Sequence, residues 1–284
     1  MLINTHDKKI HYTLRIASAM CLIGHGCFGI LTKPIWCNYY ALIGIDRQTA
    51  YHLMPVTGCL DILLGIVLLW KPVRVIAVWL VIWGLLTALC RPLSGEPFAE
   101  FIERAGNFGA PLALLLMSGG LSLNARWFFS PIDPLAPVSE KSGTRVRTTL
   151  GLIGFLLLAG HGWLNLLQKP SLLNQYVSLG FYHPVSLSLF LGIFEMVAAL
   201  AILLKPARPL ILIVLVWKLG SELFYPQFEI LEWVERGGSY GTLLALWFCI
   251  PARHSDEPAK PAASKFAGRW SLVFWKGERR TAQL

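Results

Sequence analysis

Two histidines lie in apolar segments of the chain, each between two glycines. They belong to the stretches GHGCFGILTKP, residues 24–34, and GHGWLNLLQKP, residues 160–170. An ionisable side chain inside an apolar helix is costly without a partner, so such a residue marks a candidate functional site. Imidazole transfers protons near neutral pH and ligates haem iron. His25 and His161 are therefore the first candidates for chemistry.

An acid and a tryptophan follow each histidine in the next two apolar segments. The two sets are His25, Asp61 and Trp83, and His161, Glu195 and Trp217. An imidazole and a carboxylate form a hydrogen-bonded pair that holds or passes a proton. We interpret the histidines and acids as candidate catalytic residues, and the histidines and tryptophans as candidate cofactor contacts. The alternative is structural, because the same bond also fastens one helix to the next and a tryptophan also fills space.

The second set carries two more charged residues. Lys218 and Glu222 lie four residues apart, on one face of their predicted helix, where the first half of the chain has Gly84 and Ala88. Packing alone does not explain a lysine in such a segment. We add both residues to the candidate catalytic set and expect a polar cavity in the second half.

An acid–arginine pair begins the last predicted helix of each half. The pairs are Glu103-Arg104 and Glu235-Arg236. We expect both as ion pairs at the outer face, although an acid at a helix start is also favoured by the helix dipole alone. The cysteines show no spacing typical of a metal site, and we predict no metal.

The composition is typical of a protein that spans a membrane. The chain has 284 residues, of which 55% are hydrophobic and 14% are charged. Soluble domains carry about 25% charged residues. The apolar segments are about 20 residues long, which is enough to cross a bilayer as helices. We predict an all-α integral membrane protein in contact with lipid. The net charge of +9 lies mainly in loops and does not indicate a nucleic-acid partner.

The chain also repeats itself. The matched groups, at offsets of 136 and 132 residues, are Gly24-His25-Gly26 with Gly160-His161-Gly162, and Glu103-Arg104 with Glu235-Arg236. Hydrophobicity alone does not produce polar matches of this kind. We predict four transmembrane helices in each repeat, eight in all, with both repeats in the same orientation. The predicted helices are 13–31, 54–70, 73–91, 105–123, 148–167, 185–204, 207–225 and 238–250.

These elements divide the chain into four predicted segments. They are a first four-helix repeat over 1–123, an irregular cytoplasmic linker over 124–147, a second repeat over 148–250 and a basic cytoplasmic tail over 251–284. In the tail, Phe266, Trp270 and Phe274 recur at helical spacing among basic residues. This pattern fits an interfacial helix on an anionic leaflet, and equally a disordered basic tail.

Loop charges predict the orientation in the membrane. Of the 25 Lys and Arg residues, 18 lie on the side of the termini and the linker. The positive-inside rule therefore places both termini in the cytoplasm of a bacterial-type inner membrane. The histidines then lie about 10–12 Å below the outer boundary. The outer face is expected to be acidic, with Glu96, Glu100, Glu103, Glu229, Glu232 and Glu235.

At these residues the sequence resembles the DoxX-like (DoxX/DoxD) membrane family, in two tandem copies. The marks are Arg15, the HGW-type motif at 161–163, the segment GCLDILLGIVLL and the glutamate-led segment ERAGNFGAPLALLLM. The resemblance implies a four-helix membrane unit. Some relatives are thought to be the membrane subunit of a thiosulfate:quinone oxidoreductase, and others associate with redox or stress-response partners. This chain differs in carrying two units and no obvious cofactor motif.

Three functions of different class fit these features. The first is a redox-linked membrane subunit that interacts with a redox partner protein and binds a quinone, or a b-type haem held between His25 and His161. The second is an ion-coupled small-molecule transporter, for which no helix shows an obvious Gly or Pro break at the membrane centre. The third is a non-catalytic scaffold for a partner complex. The resemblance favours the first.

Overall fold

A computed structural model describes residues 5–120, 122, 124–223 and 230–251, and its elements over these ranges are helices. The first half contains α1 Thr5–Ile30, α2 Trp36–Ala41, α3 Arg47–Trp70, α4 Arg74–Leu93, α5 Ala99–Glu103 and α6 Ala105–Met117. A short helix, α7 Ala125–Phe129, follows. The second half contains α8 Glu140–Leu166, α9 Pro170–Ser178, α10 Pro184–Leu204, α11 Arg208–Leu223, α12 Ile230–Glu235 and α13 Gly237–Cys249.

Five of these helices are long and apolar enough to cross a membrane: α1, α3, α4, α8 and α10. Helix α6 is apolar but shorter. Helices α11 and α13 have 16 and 13 residues, fewer than the about 20 that a single crossing needs. The chain is therefore all-helical with several candidate membrane spans, and the count of eight stays a prediction.

Several helix ends differ from the predicted ones, because polar caps and glycines set them. Helix α3 begins at Arg47, since the Asp46 side chain accepts hydrogen bonds from the N–H groups of Gln48 and Thr49. The Thr49 hydroxyl also donates to the Asp46 carboxylate. This bond, together with those from the two N–H groups, holds the pKa of Asp46 below its usual range. Hydropathy marks only the apolar part of such a helix and misses its polar start.

The linker is also less irregular than predicted. It contains α7, and its last residues belong to α8, which begins at Glu140 because Ser139 caps the helix by accepting from the Ser142 N–H. At its other end, α6 stops at Met117 rather than at residue 123. Gly119 and Gly120, with φ of 100° and 83°, turn the chain out of the helix.

A short helix that the sequence did not predict precedes the last helix of each half. Helix α5 ends and α6 begins around Arg104, and α12 and α13 are divided in the same way at Arg236. Both arginines have ψ near 10°, outside the α-helical range. The last helices themselves begin within one residue of the predicted starts at 105 and 238.

Small residues bring the long helices of each half close together. A Cβ added to Gly26 of α1 would lie 2.5 Å from the carbonyl oxygen of Gly58 in α3. A Cβ on Gly162 of α8 would lie 3.0 Å from the carbonyl oxygen of Gly192 in α10. These approaches position each histidine helix directly against the helix that carries its acid.

The two halves are packed into each other. Helix α1 contacts α12 and α13 of the second half, while α8 contacts α5 and α6 of the first. At these contacts Gly24 meets the backbone of Glu235, and Gly160 meets that of Glu103. The described residues up to 251 belong to one compact unit. Residues 252–284, where the tail helix is predicted, lie outside the described residues.

Candidate functional site

The first histidine lies between an acid and two tryptophans. His25 Nδ1 is 2.8 Å from Asp61 Oδ2, which also accepts the Nε1–H of Trp83 at 3.2 Å. The imidazole ring stacks on Trp36, with 4.5 Å between centroids and 22° between planes. The other carboxylate oxygen of Asp61, Oδ1, is buried and has no hydrogen-bond partner among the described residues. The predicted hydrogen bond between the histidine of α1 and the acid of α3 is thus present.

The second histidine has a more complete set of partners. His161 Nδ1 is 2.6 Å from Glu195 Oε2, and Trp217 donates to Glu195 Oε1 at 2.8 Å. One turn after the histidine, Asn165 donates to its carbonyl oxygen at 3.2 Å and accepts from the Tyr176 hydroxyl at 2.5 Å. His161, Glu195 and Asn165 are all buried. Both oxygens of this acid therefore have donors.

The hydrogen bonds of the acid determine which imidazole nitrogen faces a ligand. An ionised carboxylate only accepts, so the histidine must donate from Nδ1. Nε2 of His161 has no partner among the residues that the structure describes and remains available to a ligand. Carboxylates that orient imidazoles in this way also stabilise the imidazolium form.

Charged side chains from both halves form a buried network beside His161. Glu103 accepts from Arg104 at 2.8 Å and from Arg236 at 2.6 Å. Arg236 also contacts Glu222 at 2.9 Å, and Glu222 contacts Lys218 at 2.5 Å. Glu103, Lys218 and Glu222 are each at most 6% exposed. The Glu103–Arg104 pair is present, but Arg236 pairs with the acid of the other half rather than with Glu235.

Two further ion pairs tie the halves together. Lys33 binds Glu232, and Lys169 binds Glu100, so each joins the end of a histidine helix to the short helix of the other half. Glu100, Glu103 and Glu232 are buried. These three members of the expected acidic outer face are thus buried and paired with cations, and their side of the membrane stays a prediction. Glu229 lies outside the described residues.

Each histidine lines a cavity whose wall contains residues of both halves, and each cavity is named here after the half that contains its histidine. The second-half cavity has a volume of 590 Å³, and the first-half cavity has 270 Å³. His161 and Trp217 line the former, while His25 and Trp83 line the latter. The two histidines therefore face different cavities, and this arrangement argues against a single haem held between them.

Three buried residues meet in a way that resembles a metal site. Ligand atoms of Glu103, His161 and Glu222 lie within 4.8 Å of one another. Both carboxylates already hold Arg236, and Glu222 also holds Lys218. These cations offset the carboxylate charge and so disfavour a metal ion there. Sequence spacing did not indicate the cluster, because its members come from α5, α8 and α11.

Some residues of the site were not predicted. Asn165 and Tyr176 are joined by a hydrogen bond beside His161, and Lys169 forms an ion pair with Glu100 of the buried network. A signal for Asn165 was present, since it is a polar residue one turn after His161 in an apolar segment. Tyr176 lies in the short helix α9, in a segment that the sequence predicted to be a loop between two membrane helices.

Compared with models of known protein families, with curated proteins and with solved structures, the chain matches none.

Proposed function

We propose that the chain is a multi-pass protein of a bacterial-type inner membrane, with eight crossings in two parallel-oriented repeats and cytoplasmic termini. Five long apolar helices support the membrane location. The outward side chains of α3 and α10 are apolar as well, among them Val56, Leu63, Phe190, Ile193 and Val197. Each broken pair, 99–117 and 230–249, supplies about the length of one crossing.

Within this membrane protein, the second-half cavity is the proposed binding site for a quinone-type ligand. Such a ligand is a flat apolar ring with carbonyl oxygens. The observation that carries the proposal is the position of His161, with its carboxylate-bound Nδ1, in the wall of this cavity. The resemblance to DoxX-like proteins supports the same class, a redox-linked membrane subunit with a redox partner protein.

The cavity fits this ligand in size and lining. Small-molecule sites commonly have about 300–1,000 Å³ and apolar walls with few polar groups, and this cavity has 590 Å³. Its apolar wall consists of Leu164, Leu172, Leu179, Phe181, Leu187, Leu191 and Val216. Its polar lining includes one cluster of His161, Glu103 and Glu222, which together form its His161 end. A ring in this cavity would be oriented by that end.

The residues at that end can hold and move a proton. Neutral His161 presents the Nε2 lone pair, and protonated His161 donates from Nε2 to a carbonyl oxygen. Glu195, with donors on both oxygens, stabilises the imidazolium. A Glu222 carboxylate oxygen lies within 4.8 Å of an imidazole nitrogen of His161, so proton exchange between them would pass through a bridging water. A bound quinone would supply the two-electron, two-proton redox couple, with the partner protein as the source or acceptor of electrons.

Equilibrium binding of decylubiquinone to the detergent-purified protein tests this proposal. His161→Gln should weaken binding about tenfold or more, because the charge-stabilised donor is lost. His25→Gln is the matched control in the other cavity and should bind as the wild type does. Equal affinity of all three proteins, or equal loss in both variants, contradicts the proposal.

A second candidate, an ion-coupled transporter, is favoured by the broken helices. Discontinuous helices with charged residues at the break are typical of transporter binding sites, and Arg104 and Arg236 occupy such breaks. Substrate-dependent uptake into proteoliposomes, abolished by Glu195→Gln, would support it. Absence of uptake across sugars, amino acids, amines and organic acids would count against it.

A further inference from the structure

The two halves differ most at one pair of positions. In the second half, Lys218 and Glu222 are buried and paired at 2.5 Å. The matching residues of the first half are Gly84 and Ala88, and both line the first-half cavity. The first half thus carries no ammonium group at the positions where the second half has Lys218 and its acid.

The Lys218 ammonium compensates several carboxylates. Besides Glu222, it interacts electrostatically with Glu195 and Glu103. In the internal repeat Asp61 matches Glu195, and Glu235, which lines the first-half cavity, matches Glu103. The residue that matches Lys218 is Gly84, which carries no charge.

Both matching acids lack partners that their counterparts have. Asp61 Oδ1 is buried without a hydrogen bond, whereas both oxygens of Glu195 have donors. Among the described residues the Glu235 carboxylate forms no hydrogen bond or ion pair and interacts with Arg104 only electrostatically, whereas Glu103 holds two arginines. Glu235 also lines the first-half cavity. An acid on a cavity wall without a direct cation contact attracts a cation.

The remaining wall of this cavity suits an organic cation. Aromatic rings line it, from Trp36, Tyr39, Tyr40 and Trp83. Ammonium groups bind favourably over the faces of such rings. The volume of 270 Å³ admits a molecule with one ring or a short chain.

Two arginines also line the cavity, but carboxylates already hold both. Arg91 contacts Glu96 and Glu100, and Arg104 contacts Glu100 and Glu103. The cations of the whole network are Lys33, Arg91, Arg104, Lys169, Lys218 and Arg236. The acids in and beside it are Asp61, Glu96, Glu100, Glu103, Glu195, Glu222, Glu232 and Glu235. With neutral histidines, the acids outnumber the cations.

We propose that the first-half cavity is a binding site for a small organic ammonium ion. Its charged group takes the place that Lys218 has in the other half, beside Glu235, and its apolar part lies against the aromatic wall. This site is separate from the quinone-type site, so either proposal can fail without the other.

Titration calorimetry of the full-length protein in detergent tests this site with 2-phenylethylammonium chloride. The neutral analogue 2-phenylethanol serves as the ligand control. We expect the ammonium ion to bind and the alcohol to bind about tenfold or more weakly. Glu235→Gln should reduce ammonium affinity by about tenfold or more, because the opposite charge is lost.

Two lysine variants separate the cavities. Gly84→Lys places a tethered ammonium in the site and should abolish binding, whereas Gly220→Lys, in the wall of the other cavity, should leave it unchanged. Thermal unfolding of each variant checks that it is folded. If Gly84→Lys does not fold, the affinity of Glu235→Gln alone decides. Absence of binding, equal binding of the alcohol, or unchanged affinity in Glu235→Gln overturns the proposal.

Discussion

Glu103 illustrates how the charged side chains of the site depend on one another. It is buried between Arg104 and Arg236, and Arg236 in turn holds Glu222, which holds Lys218. Transfer of each ion from water into this environment costs several kcal/mol. Only the mutual pairing offsets that cost, so removal of one member should cost more than removal of a pair.

Lys218 provides a test at the residue scale. Lys218→Met leaves Glu222 with one cation fewer in a buried site, and we expect a loss of about 3–5 kcal/mol in the free energy of unfolding. Adding Glu222→Met should recover part of that loss, since the uncompensated carboxylate disappears. Thermal or denaturant unfolding in detergent measures both. A single variant as stable as the wild type would mean that this pair is not buried in the protein.

At the scale of helices, hydropathy predicted the long apolar elements and the starts of the last helix of each half, but not the short helices α5 and α12 before those starts. The segment around Arg104, FIERAGNF, contains neither proline nor a glycine pair to mark a break. The interruption coincides with tertiary contacts: Gly160 meets the Glu103 backbone, and Arg236 binds its side chain. Such contacts come from distant parts of the chain, and local sequence patterns do not contain them.

Two glycines of α8 test the close contact at the break. A Cβ on Gly160 would lie 2.6 Å from Glu103 Cα, whereas a Cβ on Gly151 would have no neighbour within 4 Å. Gly160→Ala should therefore destabilise the protein by about 1–3 kcal/mol. Gly151→Ala should be neutral or stabilising by up to about 1 kcal/mol, because alanine favours helix. Unfolding curves that rank the two variants the other way would contradict the contact.

At the scale of the whole molecule, the internal repeat predicted equivalent elements but not their partners. The matches between His25 and His161, or between Glu103 and Glu235, do not reveal whether a last helix packs on its own half or on the other half. In the structure both last helices contact the other half as well as their own, with α13 against α1 and α11, and α6 against α8 and α4. The paired histidines and acids followed from sequence because adjacent helices carry them. The network between the halves did not.

This exchange predicts that the halves depend on each other. Residues 1–123 and 124–284, expressed separately, should each be degraded or aggregate, because α1 and α8 lose the helices that cover them. Co-expression should restore a complex that purifies through a tag on either half. Lys169→Ala and Lys33→Ala should weaken that complex by removing the ion pairs between the halves. Independent stability of either half would contradict the predicted dependence.

The most direct test of the central claim is photoaffinity labelling of the purified protein with an azido-quinone, followed by mass spectrometry of the labelled peptides. The account predicts label on peptides of α8 to α11 that line the cavity at His161, competed away by excess decylubiquinone and lost in His161→Gln. Label confined to the first half, or label that competitor does not displace, would contradict a quinone-type site in the second half.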